Sequence, residues 1–242
     1  IGVVGEDFPS AHVDALKRRG VNVEGLEMVP GKTFRWSGRY HQDVNRRDTL
    51  DTQLNVFESF RPQLPDSARN APYLFLANIH PSLQLDVLNQ SRAAFVGLDT
   101  MDLWIRTTRD ILEQVLRRVH VLIINDAEAR QLTHEDHLLK AARAVCALGP
   151  KTVVIKKGEH GCMLVQGDQV FLLPAYPLEQ VVDPTGAGDS FAGGFMGFLA
   201  RKCNTDFATI CHAAVYGTVT ASFTCESFGP ERLSQINIHD VE

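Results

Sequence analysis

"VVDPTGAGDSFAGGF", running from Val181 to Phe195, packs four glycines and two aspartates into one short stretch. Glycine weakens strands and helices alike, so such a cluster serves a close approach or an unusual turn. The stretch reads as a strand ending at Val181-Val182, an exit stiffened by Pro184, bare amides over Gly186-Ala187-Gly188, and a helix starting near Asp189. In an open α/β sheet, ligands collect at the carboxyl ends of strands. Helix N-termini there offer free N–H groups and a positive dipole end to an anion. Two other glycine motifs fail: G-x-G-x-x-G needs glycine at Phe191, and a Walker A loop from Gly188 meets Gly194 where lysine belongs. "PGKT" at Pro30 to Thr33 fails as well, because Gly25 lies one residue too far upstream. What remains is an anion cradle followed at once by a carboxylate. A carboxylate beside phosphate is repulsive unless it takes a proton from a hydroxyl that attacks phosphorus. The plainer reading of Asp189 is an acidic first turn that complements the helix dipole.

Outward from this stretch, short apolar runs alternate with helix-period segments. Ile1 to Val4, Tyr73 to Ala77, Ala94 to Leu98, Val121 to Ile124 and Thr152 to Lys156 read as strands. Ser10 to Arg19, Ile111 to Val119 and Leu138 to Cys146 read as helices. Gly149-Pro150 stops the last of these. This β-α-β order predicts a mainly parallel sheet with helices on both faces. From about Val21 to Phe57 the signal changes to strand-like alternation, with Phe34, Trp36 and Tyr40 on one face and Arg35, Ser37 and Arg39 on the other. This predicts a small antiparallel flap. A hairpin turning at Gly167-Asp168 and two closing helices, near Ser190 to Ala200 and Asp206 to Phe223, complete the chain.

The 242 residues suffice for a sizeable core, and the 44% hydrophobic, 22% charged composition is that of a globular protein. A formal net charge of −5 argues against nucleic acid as a main partner. No apolar run is long enough to span a membrane. The five cysteines, Cys146, Cys162, Cys203, Cys211 and Cys225, are odd in number and lack metal-ligand spacing. They read as reduced core thiols of a cytoplasmic protein.

"DPTGAGDSFAGGF" resembles the C-terminal signature of the ribokinase-like, or PfkB, carbohydrate kinases. "INDAEARQLT" is similar to that family's N-x-x-E motif, here Asn125 and Glu128. "VVIKKGEHG", "GVVGEDFP" and "LDTMDLW" resemble further segments, so the likeness runs along essentially the whole chain. The resemblance implies a three-layer α/β/α ribokinase-like fold with a small β lid: a core over 1–20 and 58–242, and a lid over 21–57. It implies ATP-dependent phosphorylation of a hydroxyl on a sugar, or on a nucleoside as in adenosine-type kinases. Asp189 is then the base, and Gly186, Ala187 and Gly188 form the anion hole. Asn125 and Glu128 set Mg2+ and its waters by the phosphates, and Asp183 and Thr185 bind a monovalent cation, K+. One of Asp99 and Asp102 touches substrate, or the pair simply ends a strand.

Each motif also has a plainer reading: Asn125 and Glu128 as a helix cap, Asp183 as a cap of its own turn, Gly193 and Gly194 as packing positions. Lys156 and Lys157 either approach nucleotide or end a strand in solvent. Family members begin with a strand bearing a substrate-binding Asp, lid strands and a Gly-Gly helix, none of which precedes Ile1. The expectation is therefore a core incomplete at its N-terminus; the resemblance separately implies a homodimer through the lid. The other expectation is a non-catalytic nucleotide-binding module.

Overall fold

A computed structural model describes residues 1–41 and 47–242; residues 42–46 of the expected flap lie outside the described residues. The chain divides into two compact units, Ile1–Ala71 with Asp86–Arg92, and Pro72–Leu85 with Ala93–Glu242. Residues 1–20 thus group with the flap region, whereas the sequence reading joined them to the core.

In the first unit, β1 (Gly2–Gly5) leads through α1 (Ser10–Arg18) to β2 (Leu26–Val29), and the two strands pair in parallel. The sequence reading placed Leu26–Val29 in the antiparallel flap; the intervening helix makes a crossover, and a crossover returns the strand in parallel. Behind β1, Asp7 accepts hydrogen bonds from the Thr33 N–H (2.7 Å) and hydroxyl (2.6 Å), while the Gly5 N–H donates to the Thr33 hydroxyl at 3.0 Å. The antiparallel part is β3 (Arg35–Tyr40) with β4 (Arg47–Gln53), bulged at Ser37/Gly38. Arg35 and Arg39 are exposed and Trp36 and Tyr40 half-buried, as the alternation predicts, whereas Phe34 before the strand is exposed and Ser37, at the bulge, is half-buried, against it. A short helix, α2 (Asp66–Arg69), follows.

The second unit is built on β5 (Tyr73–Leu76), β6 (Phe95–Asp99), β7 (Val121–Asn125), β8 (Thr152–Lys156), β9 (Cys162–Gln166) and β10 (Gln169–Leu173). Their order is β10-β9-β8-β7-β6-β5, parallel from β5 to β8 and antiparallel from β8 to β10. The helices are α3 (Pro81–Gln90, ending among residues of the first unit), α4 (Asp102–Thr107), α5 (Arg109–Leu116), α6 (Asp126–Thr133), α7 (Leu138–Ala147), α8 (Ala187–Lys202), α9 (Phe207–Cys225), α10 (Glu231–Gln235) and α11 (Ile238–Val241). None of those described is long and apolar enough to cross a membrane.

Alternate strand residues point to opposite faces. Val121, Ile123, Val154 and Leu164 share one core with Phe191, Phe195 and Leu199 of α8 and Ile210, Ala213 and Ala214 of α9. Leu122, Ile124, Val153 and Ile155 are fully buried on the other face, where α6 and α7 pack. Burial on both faces is why these strands read as unbroken apolar runs. The thiols divide by position: Cys162 is buried, Cys203 is exposed and the other three are half-buried, none in a disulfide. Cys203 corrects the reading of all five as core residues; it caps α8 in the left-handed region, at φ 49°.

Helices α8 and α9 approach closely at glycines. A Cβ on Gly194 would stand 2.5 Å from the Thr220 hydroxyl and 2.9 Å from the Tyr216 carbonyl, and one on Gly217 2.7 Å from the Phe191 carbonyl. Gly193 differs from the packing position expected, because nothing lies within 4 Å of its added Cβ. Gly194→Ala is therefore expected to lose about 1–3 kcal/mol through overpacking. Gly193→Ala should gain about 0.5–1 kcal/mol from helix propensity. Urea unfolding of the two variants checks this opposite pair of signs.

Candidate active site

The carboxyl ends of β6, β7 and β8 and the entry to α8 bring Asp99, Asn125, Glu128, Lys156 and Asp189 into one electrostatic cluster. The entry differs from the sequence reading. Val181 and Val182 are exposed and form no strand. The Val182 N–H donates instead to the Cys225 carbonyl at the end of α9 (2.8 Å). Asp183 accepts from the Thr185 N–H (2.9 Å), closing its own turn. Pro184 to Ala187 then makes a second turn, with the Ala187 N–H on the Pro184 carbonyl at 3.1 Å and Gly186 at φ 83°, ψ −2°. That is the left-handed position of a type II turn, open to glycine. The Thr224 hydroxyl, on buried ground at the end of α9, donates to Ser190 at 2.7 Å and ties this entry down.

Helix α8 leaves the N–H groups of Gly186, Gly188 and Asp189 without a partner among the described residues. Such unsatisfied donors are what an anion binds. The Ala187 N–H is engaged by the turn, so of the three expected anion-hole residues two present free amides and Asp189 adds a third. The Asp189 side chain is exposed and makes no hydrogen bond or ion pair among the described residues.

Asn125 and Glu128 form a full capping box on α6. Asn125 accepts from the Glu128 N–H (2.8 Å) and Glu128 from the Asn125 N–H (2.9 Å). Burial pushes the Glu128 carboxyl up to about 7; the Asn125 bond and Lys156 oppose the rise, and Asp99 and Asp102 add to it. Asp99 is buried, and burial, with Asp189 adding, holds its carboxyl above the ordinary range against Lys156 and the Thr100 N–H. Asp102 is exposed and paired with Arg106 at 3.3 Å. Of the two aspartates, Asp99 is the one built into the site.

Lys156 resolves towards the site: its Nζ lies 2.9 Å from where a Cβ on Gly188 would stand. Sequence reasoning missed Gln84 and Thr100. Gln84 is buried, and its amide donates to the carbonyls of Ala77 (2.8 Å) and Asp99 (3.2 Å). The Gln84 Oε1 and the Thr100 hydroxyl are buried without hydrogen-bond partners among the described residues. A mid-helix glutamine carries no motif, and only its burial reveals it. No group of three or more His, Cys, Asp and Glu is arranged for a metal among the described residues. A hydrated Mg2+ needs fewer protein ligands, since substrate phosphates and waters supply the rest. One carboxylate such as Glu128 therefore fits it.

Because burial raises the Glu128 carboxyl from 4.5 to about 7, the folded protein keeps a proton that the unfolded chain has lost in that window. Stability then falls as pH rises through it and levels off above. Glu128→Gln keeps the capping box and removes the charge. Thermal unfolding should show the variant gaining on the parent between about pH 5 and about pH 8; a pH-independent difference would contradict the assignment.

A profile of the pfkB family carbohydrate kinases matches residues 1–236. A cytidine kinase of Thermococcus kodakarensis is 31% identical over 203 residues, covering 82% of this chain and 72% of the relative. A ribokinase crystal structure from Thermotoga maritima superposes at a TM-score of 0.77 and 21% identity, over 99% of this chain and 78% of that one. The aminoimidazole riboside kinase of Salmonella enterica, complexed with aminoimidazole riboside and an ATP analogue, superposes at 0.72 and 23% identity, over 95% and 80%. The three-layer architecture is thus the ribokinase-like fold. With a family match spanning nearly its whole length, the chain belongs to the pfkB family of carbohydrate kinases, phosphotransferases whose acceptor is an alcohol group.

Proposed function

We propose that this chain transfers the γ-phosphoryl group of ATP to a sugar hydroxyl, with Asp189 as the base. The observation that carries the reading is the start of α8, where three N–H groups and a carboxylate without partners among the described residues lie within four residues. The amides of Gly186, Gly188 and Asp189 hold the phosphoryl oxygens and stabilise their charge. Asp189 takes the proton of the acceptor hydroxyl as its oxygen bonds to phosphorus, the bond from phosphorus to the ADP oxygen breaks, and ADP leaves. Asn125 and Glu128 hold Mg2+ and its waters, and the ion supplies charge neutralisation at the phosphates. Asp183 and Thr185 are assigned to a monovalent cation, which predicts faster turnover in K+ than in Na+.

For the acceptor, two readings have support. The similarity to a cytidine kinase, and to an enzyme that holds aminoimidazole riboside beside an ATP analogue, favours a nucleoside. The family description and the ribokinase likeness favour a free sugar. ADP release over a panel of nucleosides and sugars separates them. Asp189→Asn should lower kcat about 10^2- to 10^4-fold on the accepted substrate. Its ATP affinity should hold, because the anion site is backbone. Retained turnover would remove Asp189 from the base role, and ATP binding without acceptor-dependent turnover would leave a nucleotide-binding module.

A further inference from the structure

Unpaired polar side chains also gather at the amino ends of the parallel strands, away from the active-site cluster. A cavity of about 250 Å³ lies where Phe95 starts β6, Thr152 starts β8, Gln166 ends β9 and Thr205 precedes α9. Strand β8 runs four steps from Thr152 to Lys156, so about 13 Å of strand separates the cavity from that cluster. Buried Phe95 and Ile210 give it an apolar floor. His120, Lys151, Thr152, Gln166 and Thr205 supply its polar lining, and each keeps a polar group unpartnered among the described residues. The Val96 N–H donates to His120 Nδ1 at 3.1 Å, so the neutral ring carries its proton on Nε2, where it is unused. Burial, with Lys151 adding, holds the His120 imidazole below its ordinary range, which marks the ammonium as a neighbour of the ring. Lys151 itself makes no ion pair among the described residues. Thr152 is only 1% exposed and Gln166 Oε1 is buried, and neither Oγ1 nor Oε1 is bonded among the described residues. Buried polar groups are ordinarily paired, so this many unpaired around one space point to an occupant. Among the described residues lining the cavity, the charged side chain is Lys151, which calls for an anion. Gln166 Oε1 can only accept, which calls for a hydroxyl donor on the same molecule. We propose that this cavity binds a small hydroxylated organic anion, a phosphate or carboxylate on a short polyol. Its anionic group meets Lys151 and the His120 Nε2–H, and its hydroxyls meet Thr152, Gln166 and Thr205. The volume equals that of about eight waters, which suits a three-carbon compound. None of these residues belongs to the phosphoryl-transfer site, so the proposal stands apart from the kinase reading.

The test titrates the 15N-labelled protein with glycerol 3-phosphate and with glycerate, following the His120 ring resonances and the backbone amides. Inorganic phosphate and glycerol serve as the anion-only and hydroxyl-only controls. At least one of the two compounds should shift His120 and saturate with a Kd below about 1 mM. Which of them does so assigns the anionic group. Each control should bind at least about 10-fold more weakly, having lost one half of the contacts. Lys151→Met should weaken the binding about 10- to 100-fold, the worth of a charge-assisted bond. Thr152→Val, which keeps the shape and removes the hydroxyl, should weaken it about 3- to 10-fold. Both variants should keep the parent's amide spectrum away from the cavity. Inorganic phosphate binding as tightly as the two compounds would mean an adventitious ion only, and would overturn the proposal. So would shifts at the entry to α8 that leave His120 unmoved, variants that bind as the parent does, or no saturable shift with either compound. The parent titration decides even where a variant fails to fold.

Discussion

The open N-terminus of α8 is the constraint on which the rest of this structure depends. A helix must leave its first N–H groups unpaired, and burying them without a partner costs free energy. Here they stand beside the carboxyl end of β8, and among the described residues the type II turn at Pro184 to Ala187 takes one of them, that of Ala187. Gly186 makes the turn possible, and the remaining donors face the space that Lys156 borders. An anion at this place completes hydrogen bonds that the fold leaves unmade.

Keeping that terminus in position falls to the packing behind it. Helix α8 lies on β6 so closely that a Cβ on Gly97 would come within 2.8 Å of the Met196 sulfur. Helix α9 locks against α8 through Gly194 and Gly217, and its end reaches back to the entry by Thr224 on Ser190 and Cys225 on Val182. The large aromatic side chains Phe191 and Phe195 anchor the first turns in the core. A rigid, well-packed helix gives amides that need no reorganisation when charge develops on a phosphoryl group. The carboxyls around it differ by environment: burial raises those of Asp99 and Glu128 above the ordinary range, while Asp189 is exposed.

Much of the fold was legible because its core strands are covered on both sides. Val121 to Ile124 and Thr152 to Ile155 are buried without a break, and an unbroken apolar run is what a sequence displays. The glycine-rich stretch was legible because its order of turn, bare amides and carboxylate has few uses. Other features depend on tertiary context. Leu26–Val29 has a strand's composition, yet only its pairing with β1 shows it to be parallel. Val181-Val182 looks like a strand by β-branching, while in the fold the Val182 N–H goes to the Cys225 carbonyl at the end of a helix. Lysine at a strand end leaves nucleotide contact and solvation equally open until its neighbour Gly188 is seen, and Gln84 is ordinary in sequence until its burial is known.

The most direct test of the central claim is the amide spectrum of the 15N-labelled protein as ADP, Mg2+ and aluminium fluoride, a mimic of the transferring phosphoryl group, are added. The account predicts that the N–H resonances of Gly186, Gly188 and Asp189 move downfield most, with Ala187 moving little because its proton is already held by Pro184. Nucleotide-dependent shifts elsewhere that leave those three unchanged would contradict it.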